Sequence, residues 1–326
     1  MYNSGMRAIQ VTAHGGPDVL SLTTVDDPVT AADEVLVRTG AAGVNFIDTY
    51  LRRGMYPSAP PYIPGSEIAG TVVAVGSSVT DRSVGDRVAT VNAPGGYAEL
   101  VAVPAGRTVV LPDAVTDDVA GSSMLRGLTA HYLLDGSAHP AAGDTVLVHA
   151  GAGGVGLILT QLAKLRGLRV ITTVSSDDKE VLSREAGADH VLRYSDDLTA
   201  QVRDLTAGDG VTVVYDGVGA DTFEQSLTST AVRGTVVLYG AASGPVPPFD
   251  LQRLNGLGSL SVTRPTLAHF IARPDELSWR AGELFGAVAD GDVKVRVGQS
   301  YALADAAQAH RDLEARITTG STVLIP

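Results

Sequence analysis

Residues 146–156 read VLVHAGAGGVG, so that a short apolar run rich in valine leads directly into a glycine-rich turn. Gly151, Gly153 and Gly156 have the spacing G-x-G-x-x-G, and residues 157–167 continue with the periodicity of a helix. Glycine allows a tight turn and the close approach of a ligand, while the first turn of a helix offers unpaired N–H groups and a partial positive charge. The stretch therefore predicts a pyrophosphate site, and hence a bound dinucleotide.

The chain around this turn changes its pattern at Asp144. From there, short apolar strands alternate with helical segments, and the predicted strands are 146–149, 169–174, 190–192, 211–215, 235–239 and 260–262. Such alternation predicts an α/β fold with a doubly wound parallel sheet. Residues 6–112 instead form short β-rich pieces separated by glycine and proline, with one helix at Phe46–Arg52. We therefore predict a β-rich domain of residues 1–127 and 266–326, into which a dinucleotide-binding domain of residues 128–265 is inserted.

The carboxyl-terminal segment is predicted to contain a helix near residues 275–289, a strand at residues 293–297, a last helix and a final strand. In the last helix five residues share one face, which predicts ordinary core packing. These five are Leu303, Ala307, His310, Leu313 and Ile317.

Composition excludes several classes of function. The net charge is −12 and the chain has only three lysines, which argues against a nucleic-acid surface and against a polybasic membrane patch. No segment has about 18 uninterrupted apolar residues, so no membrane insertion is expected and a soluble cytoplasmic protein is predicted. The absence of cysteine removes thiol catalysis and cysteine-based zinc sites, and the seven histidines show no metal-binding spacing, so we expect no metal.

The end of the second predicted strand bears on the choice of dinucleotide. An acidic residue there binds the ribose 2′-OH of NAD, but the residues after Val174 are Ser175 and Ser176. Two serines can donate hydrogen bonds to a 2′-phosphate, Lys179 adds a cation one turn later, and Tyr194 adds a phenol after the third strand. These residues favour NADPH. If the strand ends later, Asp177 would take the ribose instead, and NADH would be preferred.

Several long runs resemble the zinc-free quinone oxidoreductases, the zeta-crystallin-like branch of the medium-chain dehydrogenase/reductase superfamily. The resemblance covers essentially the whole chain and implies a Rossmann sheet inserted into a GroES-like catalytic domain. The zinc branch carries a histidine in its G-H-E segment, where this chain has Gly65, Ser66 and Glu67. The runs are GVNFIDTYLRRGMYP (43–57), IPGSEIAGTVVAVG (63–76), GLTAHYLL (127–134), HAGAGGVG (149–156), VVYDGVGADTFEQSL (213–227), GSLSVTRPTL (258–267) and RITTGSTVLIP (316–326).

The resemblance also implies the roles of individual positions. The residues expected at the nicotinamide and substrate pocket are Asn45, Asp48, Tyr50, Tyr56 and Arg264. Those expected to contact the cofactor are Thr129, Gly153, Gly154, Val155, Ser175, Ser176, Lys179, Tyr194, Gly217, Tyr239, Gly240 and Arg316. One departure from relatives is Gly217, which leaves no side chain to hold the ribose, and another is the alanine pair at residues 241–242.

Some of these residues also have purely structural interpretations. Asn45 precedes a short helix and is a good N-cap, and Asp48 is four residues before Arg52, a favourable spacing for an ion pair. Tyr50 has the helical spacing of a core residue, and Arg264 before a proline can pin a loop. Capping and catalysis are compatible, so the sequence leaves both interpretations open.

The resemblance implies an NADPH-dependent quinone reductase that transfers hydride to a quinone without a metal and forms a homodimer. Tyr56, Tyr50 or water would then supply the proton. One alternative is an enone or 2-alkenal reductase on the same fold, since both substrates are small conjugated carbonyls. A second is an NADPH-binding protein without turnover, either crystallin-like or RNA-binding, although the net charge of −12 opposes RNA binding.

Overall fold

The computed structural model describes residues 5–194 and 197–326. It divides into two compact units. The first comprises the described part of Met1–Arg126 together with Leu277–Asp290 and Val295–Pro326, and the second comprises Gly127–Glu276 and Gly291–Lys294. The predicted domain boundaries differ from this division at residues 127, 266–276 and 291–294, and they stay a prediction.

The first unit is built mainly from antiparallel strands. A seven-stranded sheet has the order β14-β15-β3-β4-β5-β7, with β6 pairing to β3, and β1 and β2 form a separate hairpin pair. Its strands are β1 (Met6–Val11), β2 (Leu20–Val25), β3 (Glu34–Gly43), β4 (Ile68–Val75), β5 (Arg87–Thr90), β6 (Leu100–Pro104), β7 (Val109–Val110), β14 (Val297–Ala302) and β15 (Ser321–Ile325). Its helices are α1 (Phe46–Arg52) and α10 (Ala306–Glu314); α2 (Asp117–Tyr132) and α9 (Pro274–Ala289) each have one end in the second unit.

The core of the first unit lies where β1, β3 and β4 meet α10. Ile9, Val35, Ile68 and Leu303 are completely or almost completely buried there. Alternation of buried and less buried residues along β6 and most of β3 is typical of strands with one face on a core.

The second unit contains a six-stranded, entirely parallel sheet of order β10-β9-β8-β11-β12-β13. This is the doubly wound order predicted from the alternation of strands and helices. The chain adds strands toward one edge of the sheet from β8 to β10 and toward the other edge from β11 to β13, so the order reverses between β8 and β11. The strands are β8 (Thr145–Val148), β9 (Arg169–Val174), β10 (His190–Arg193), β11 (Val211–Asp216), β12 (Thr230–Leu238) and β13 (Ser261–Thr263). The helices are α3 (Gly154–Leu165), α4 (Asp177–Glu185), α5 (Leu198–Leu205), α6 (Phe223–Ser229), α7 (Arg253–Gly256) and α8 (Leu267–Phe270).

The α/β fold class is confirmed, but two local predictions are wrong. The strand expected at residues 293–297 begins only at Val297, because its ladder partner β15 starts opposite that residue. The last helix ends at Glu314, so Ile317 lies beyond it and is two-thirds exposed rather than in the core. Among the described residues, no helix combines the length and the apolar character needed to cross a membrane.

Candidate cofactor and substrate sites

The parallel sheet of the second unit brings most of the predicted cofactor residues to one edge. All six strands run in the same direction, so the segments that follow them lie together at their carboxyl ends. The predicted residues at this edge are Gly153, Gly154 and Val155 after β8, Ser175 and Ser176 after β9, Tyr194 after β10, Gly217 after β11, Tyr239 and Gly240 after β12, and Arg264 after β13. Lys179 follows in the first turn of α4.

The three glycines of the loop after β8 serve different purposes. A Cβ atom on Gly151 would lie 2.5 Å from the Cβ of Thr172, and one on Gly156 would collide with the carbonyl oxygen of Ala150. Gly153 is the N-cap of α3, and the atom nearest to a Cβ placed there is 3.1 Å away. Close packing therefore requires Gly151 and Gly156, whereas Gly153 leaves the start of the helix accessible. A pyrophosphate fits this arrangement.

The buried side chain of His149 makes hydrogen bonds next to the glycine loop. The Ser226 hydroxyl donates to Asp216 at 2.7 Å, so the Nε2–H of His149, 3.1 Å from that hydroxyl, must donate to it. The other ring nitrogen, Nδ1, then accepts from Thr173 at 3.0 Å. Burial lowers the pKa of His149, which favours the neutral ring, and the two hydrogen bonds place its proton on Nε2.

The predicted phosphate ligand Tyr194 holds the same loop. Its ring stacks on the His149 ring with 6.2 Å between centroids, and its hydroxyl accepts a 2.8 Å hydrogen bond from the backbone N–H of Ala150. Ala150 has a φ of 55°, an unusual conformation for a residue with a side chain. Tyr194 thus stabilises the strained entrance to the glycine loop, in addition to any role toward a phosphate.

The missing side chain at Gly217 has a packing explanation. A Cβ at this position would lie 2.7 Å from the Tyr239 ring, and one on Gly240 would collide with the carbonyl oxygen of Gly217. Asp216 fixes this turn by accepting from the N–H groups of Val218 and Gly219 at 2.9 and 3.0 Å. The Tyr239 ring therefore occupies the space in which a ribose-binding side chain would lie.

The residues predicted to bind the adenosine end of the cofactor lie between β9 and the first turn of α4. Strand β9 ends at Val174, and Ser176 caps α4 by accepting from the N–H of Lys179 at 3.4 Å. The Lys179 ammonium nitrogen lies 3.3 Å from the Ser175 hydroxyl. Asp177 lies beyond the end of the strand, and its carboxylate pairs with Arg193 at 2.6 Å. Strand β9 therefore ends before Ser175, as the NADPH prediction requires, and the contact of Ser175, Ser176 and Lys179 with the ribose phosphate stays a prediction.

Two further predicted residues lie elsewhere in the chain, whereas Arg264 lies at the edge of the sheet described above. Thr129 is buried on α2, and Arg316 is exposed just after α10 with a φ of 59°. Arg264 donates to the carbonyl oxygens of Tyr239 and Pro265 at 3.0 and 3.1 Å. The structural interpretation of Arg264, that it pins a loop, therefore describes its observed contacts.

In the first unit, the start of α1 joins two buried carboxyl groups. The backbone N–H of Asn45, the N-cap, donates to Asp48 at 2.8 Å, and its side-chain amide donates to Glu67 at 2.7 Å. Glu67 also accepts from the N–H of Leu125 at 2.7 Å, and the Arg126 guanidinium lies 3.7 Å from it. Asn45 is thus both a cap and a link between the two carboxyl groups.

Burial raises the pKa of Glu67, but Arg126 opposes this shift. Gly43 has no room for a side chain because a Cβ there would collide with the Glu67 carboxylate. Ser66, at the position of the zinc-branch histidine, is half-buried beside Glu67. Arg126 and the donors from Asn45 and Leu125 therefore offset part of the cost of burying Glu67.

Asp48 is also buried, but fewer hydrogen-bond donors offset the cost of burying its charge. Its Oδ2 accepts from the N–H of Asn45 and from the Tyr97 hydroxyl at 3.1 Å, whereas its buried Oδ1 has no hydrogen-bond partner among the described residues. Burial is the largest influence and raises the pKa of Asp48 to about 7. This carboxyl group can therefore hold or release a proton near neutral pH.

A directional chain of hydrogen bonds leads to Asp48. Arg52 can only donate, so Nδ1 of His310, 3.0 Å away, accepts from it. Burial lowers the pKa of His310 to about 3, and the neutral ring carries its proton on Nε2, 3.1 Å from the Tyr97 oxygen. The Tyr97 hydroxyl is then free to donate to Asp48. The chain therefore runs from Arg52 through His310 and Tyr97 to Asp48.

Sequence reasoning missed the two middle members of this chain. The sequence predicts that His310 packs as an ordinary core residue on α10. It is fully buried, but both of its ring nitrogens make hydrogen bonds. The favourable spacing of Asp48 and Arg52 suggested an ion pair, but Arg52 bonds instead to His310, to Glu314 at 2.7 Å and to the carbonyl oxygen of Gly15 at 3.0 Å. A histidine on an apolar helix face was the only available signal, and it did not specify its partners.

Three aromatic rings lie on α1 or shortly after it, namely Phe46, Tyr50 and Tyr56. The Tyr50 ring lies 6.4 Å from the Phe46 ring and 6.0 Å from the Tyr56 ring, measured between centroids. Tyr56 is 43% exposed. Flat apolar rings with phenol groups can pack against a flat conjugated ligand and donate hydrogen bonds to its oxygens.

Comparison with known proteins covers nearly the whole chain. The family description "Alcohol dehydrogenase GroES-like domain" matches residues 31–113, and "Zinc-binding dehydrogenase" matches residues 154–279. The chain is 47% identical over 325 residues to a quinone oxidoreductase of Pseudomonas aeruginosa, covering 98% of this chain and 99% of that protein. It belongs to the quinone oxidoreductase family of the medium-chain dehydrogenase/reductase superfamily.

Two other known proteins are also similar to this chain. A mycobacterial protein solved in complex with NADPH is 56% identical, with a TM-score of 0.96 over 98% of this chain and 100% of that one. A 2-haloacrylate reductase of Burkholderia is 40% identical over 321 residues, covering 96% of each chain. The resemblance inferred from the sequence is therefore confirmed at the level of the family.

Proposed function

We propose that this protein is an NADPH-dependent quinone reductase that works without a metal. The observation that carries the proposal is the carboxyl edge of the parallel sheet, where an open helix start at Gly153 lies in the same unit as the Ser175, Ser176 and Lys179 cluster. These features match a pyrophosphate and a 2′-phosphate respectively. The NADPH complex of the mycobacterial relative supports the cofactor, and the name of the Pseudomonas relative supports the substrate.

The residues of the first unit are proposed to act on the substrate. NADPH, when bound, supplies the hydride, and reduction of a quinone to a hydroquinone then requires a proton. The Phe46, Tyr50 and Tyr56 rings offer an apolar surface for the quinone. Asp48 can hold a proton near neutral pH, so we add it to Tyr56 and Tyr50 as a candidate donor. Polarisation of the carbonyl is assigned to hydrogen bonds because the chain has no cysteine and has Ser66 in place of the zinc-branch histidine.

The proposal is tested by oxidation of NADPH and NADH against a panel of quinones and 2-alkenals. We expect rapid oxidation of NADPH with benzoquinones and much slower oxidation of NADH. NADPH binding without turnover of any acceptor would instead support a non-catalytic NADPH-binding protein. Preference for NADH would contradict the role given to Ser175, Ser176 and Lys179.

A second candidate is an NADPH-dependent enone reductase. It is favoured by the 2-haloacrylate reductase relative, whose substrate is also a conjugated carbonyl compound. Such a reaction needs a group that stabilises an enolate, and Tyr56 has an accessible phenol that could donate to it. Faster turnover of 2-alkenals or 2-haloacrylates than of quinones would favour this candidate.

We also propose that the protein is a cytoplasmic homodimer. Strand β13 forms an edge of the parallel sheet, and an unpaired strand edge can extend its sheet with a second copy of the chain. Light scattering coupled to size-exclusion chromatography would give the mass in solution. A mass of about 33.5 kDa, that of one chain, would contradict the dimer.

A further inference from the structure

The structure points to Arg193 as a determinant of specificity for the 2′-phosphate: we propose that it neutralises Asp177, whose charge would otherwise repel that phosphate. The inference rests on the proposed NADPH cofactor. Arg193 is the last residue of β10 and lies directly opposite Val174, the last residue of β9. Adjacent strands are about 4.8 Å apart, which places Arg193 beside the turn that contains Ser175 and Ser176.

Acidic residues crowd this turn. The first turn of α4 contains Asp177, Asp178 and Glu180, and the predicted 2′-phosphate ligand Lys179 lies among them. A 2′-phosphate would add about −1.5 to −2 charges at the same place. Without further compensation, the carboxylates would counteract the attraction exerted by Lys179.

Arg193 supplies that compensation. One of its terminal nitrogens lies 2.6 Å from Asp177 and 2.7 Å from Glu180, and its side chain is only 22% exposed. The Asp177 side chain, by contrast, is fully exposed at the helix start. Arg193 therefore draws the carboxylate nearest to Ser176 toward β10, leaving Ser175, Ser176 and Lys179 to the phosphate.

The chain provides a matched control. Arg184 also pairs with Glu180, at 2.7 Å, and lies on the same helix as Asp177, but its side chain is 53% exposed and its ion pair does not include Asp177. Replacing Arg184 or Arg193 with glutamine changes the net charge equally. Only the Arg193 substitution releases Asp177.

The experiment measures binding of 2′,5′-ADP and 5′-AMP to the full-length protein by calorimetry, because the two probes differ only in the 2′-phosphate. We expect Arg193→Gln to weaken 2′,5′-ADP binding about tenfold, with 5′-AMP and the control Arg184→Gln changed less than about twofold. Arg193→Lys should keep most of the affinity, and Asp177→Asn combined with Arg193→Gln should restore most of it.

Three results would overturn the inference: equal weakening of both probes by Arg193→Gln, equal effects of the two arginine variants, or no recovery with Asp177→Asn. If the wild-type protein binds 2′,5′-ADP no more tightly than 5′-AMP, the NADPH assignment itself is wrong. If the wild type prefers 2′,5′-ADP and Arg193→Gln retains that preference, only the role of Arg193 is wrong.

Discussion

Two buried histidines, one in each unit, belong to similar hydrogen-bond chains. The carboxyl groups at the ends of these chains have different surroundings. His310 connects through the Tyr97 hydroxyl to Asp48, and His149 connects through the Ser226 hydroxyl to Asp216. Burial lowers the pKa of both histidines. In both chains the neutral histidine carries its proton on Nε2 and donates to the hydroxyl, which in turn donates to the carboxylate.

The carboxyl groups at the ends of the two chains differ in how many donors they accept. Asp216 accepts from two backbone N–H groups and from the hydroxyls of Thr222 and Ser226. Asp48 accepts from one backbone N–H and one hydroxyl, and one of its oxygens has no partner among the described residues. Donors to the charged form offset the cost of burying it, so Asp48, with fewer of them, has a pKa raised to about 7.

The comparison shows that burial alone does not decide the chemistry of a carboxyl group. Asp216 uses its donors to fix the turn between β11 and α6, which is a structural task. Asp48 lies at the start of α1 with part of its hydrogen-bonding capacity free, which suits a group that exchanges a proton.

The largest expected effect concerns the pH dependence of stability. A carboxyl pKa raised from 3.8 to about 7 means that the folded state binds more protons than the unfolded state between these values. The contribution of Asp48 to the free energy of unfolding therefore falls as pH rises through this window, by up to about 4 kcal/mol. His310, with a pKa lowered to about 3, acts in the opposite direction.

The effect is therefore measured as a difference between two proteins that both contain His310. We expect the free energy of unfolding of Asp48→Asn, minus that of the wild type, to increase from pH 5 to pH 7 and to be constant above pH 8. Urea unfolding at several pH values provides the measurement. A difference that does not vary with pH would show that Asp48 does not titrate in this range.

The next effect is a difference between variants of the two carboxyl groups in the free energy of unfolding at pH 8. Asp216→Asn places an amide against donors that need an acceptor, and we expect it to lower the free energy of unfolding by about 3 kcal/mol. Asp48→Asn removes an incompletely compensated buried charge and should cost less than about 1 kcal/mol or stabilise the protein. Similar losses in both variants would contradict the comparison.

A smaller effect is expected on the rate of quinone reduction. If protonated Asp48 supplies the proton, kcat/KM should decline as pH rises through about 7, and Asp48→Asn should be about tenfold slower at pH 6 with a flat profile. Tyr56→Phe serves as the parallel variant. A wild-type profile without this decline would remove Asp48 from the role, and a Tyr56→Phe variant with the wild-type rate and profile would remove Tyr56.

The smallest effects come from deleting one hydroxyl in each chain. Ser226→Ala should lower the free energy of unfolding by about 1 kcal/mol, because Asp216 and His149 both lose a partner. Tyr97→Phe removes a donor to ionised Asp48 and should therefore raise the pKa of Asp48. The decline of kcat/KM with pH should then shift upward by about half a pH unit. A downward shift in Tyr97→Phe would contradict the direction assigned to the hydrogen-bond chain.

Local features of the fold and site could be read from the sequence because they depend on neighbouring residues. The glycine loop, the end of β9 at Val174 and the cap at Ser176 follow from spacing and side-chain chemistry within a few positions. The Asn45 cap is a local pattern of the same kind. The neutral residues after β9 also carried the preference for NADPH.

The remaining features depend on contacts between residues far apart in the chain. Arg193 meets Asp177 only because β10 pairs with β9, and Tyr97, His310 and Arg52 come together from three separate segments. The number of donors around a carboxyl group is likewise a property of packing.

The sequence by itself therefore determined that a dinucleotide, and by local chemistry NADPH, is the ligand expected at Gly151–Gly156. Only the tertiary structure decided that the pKa of Asp48 is raised to about 7, because the cost of burying a charge depends on every donor that surrounds it.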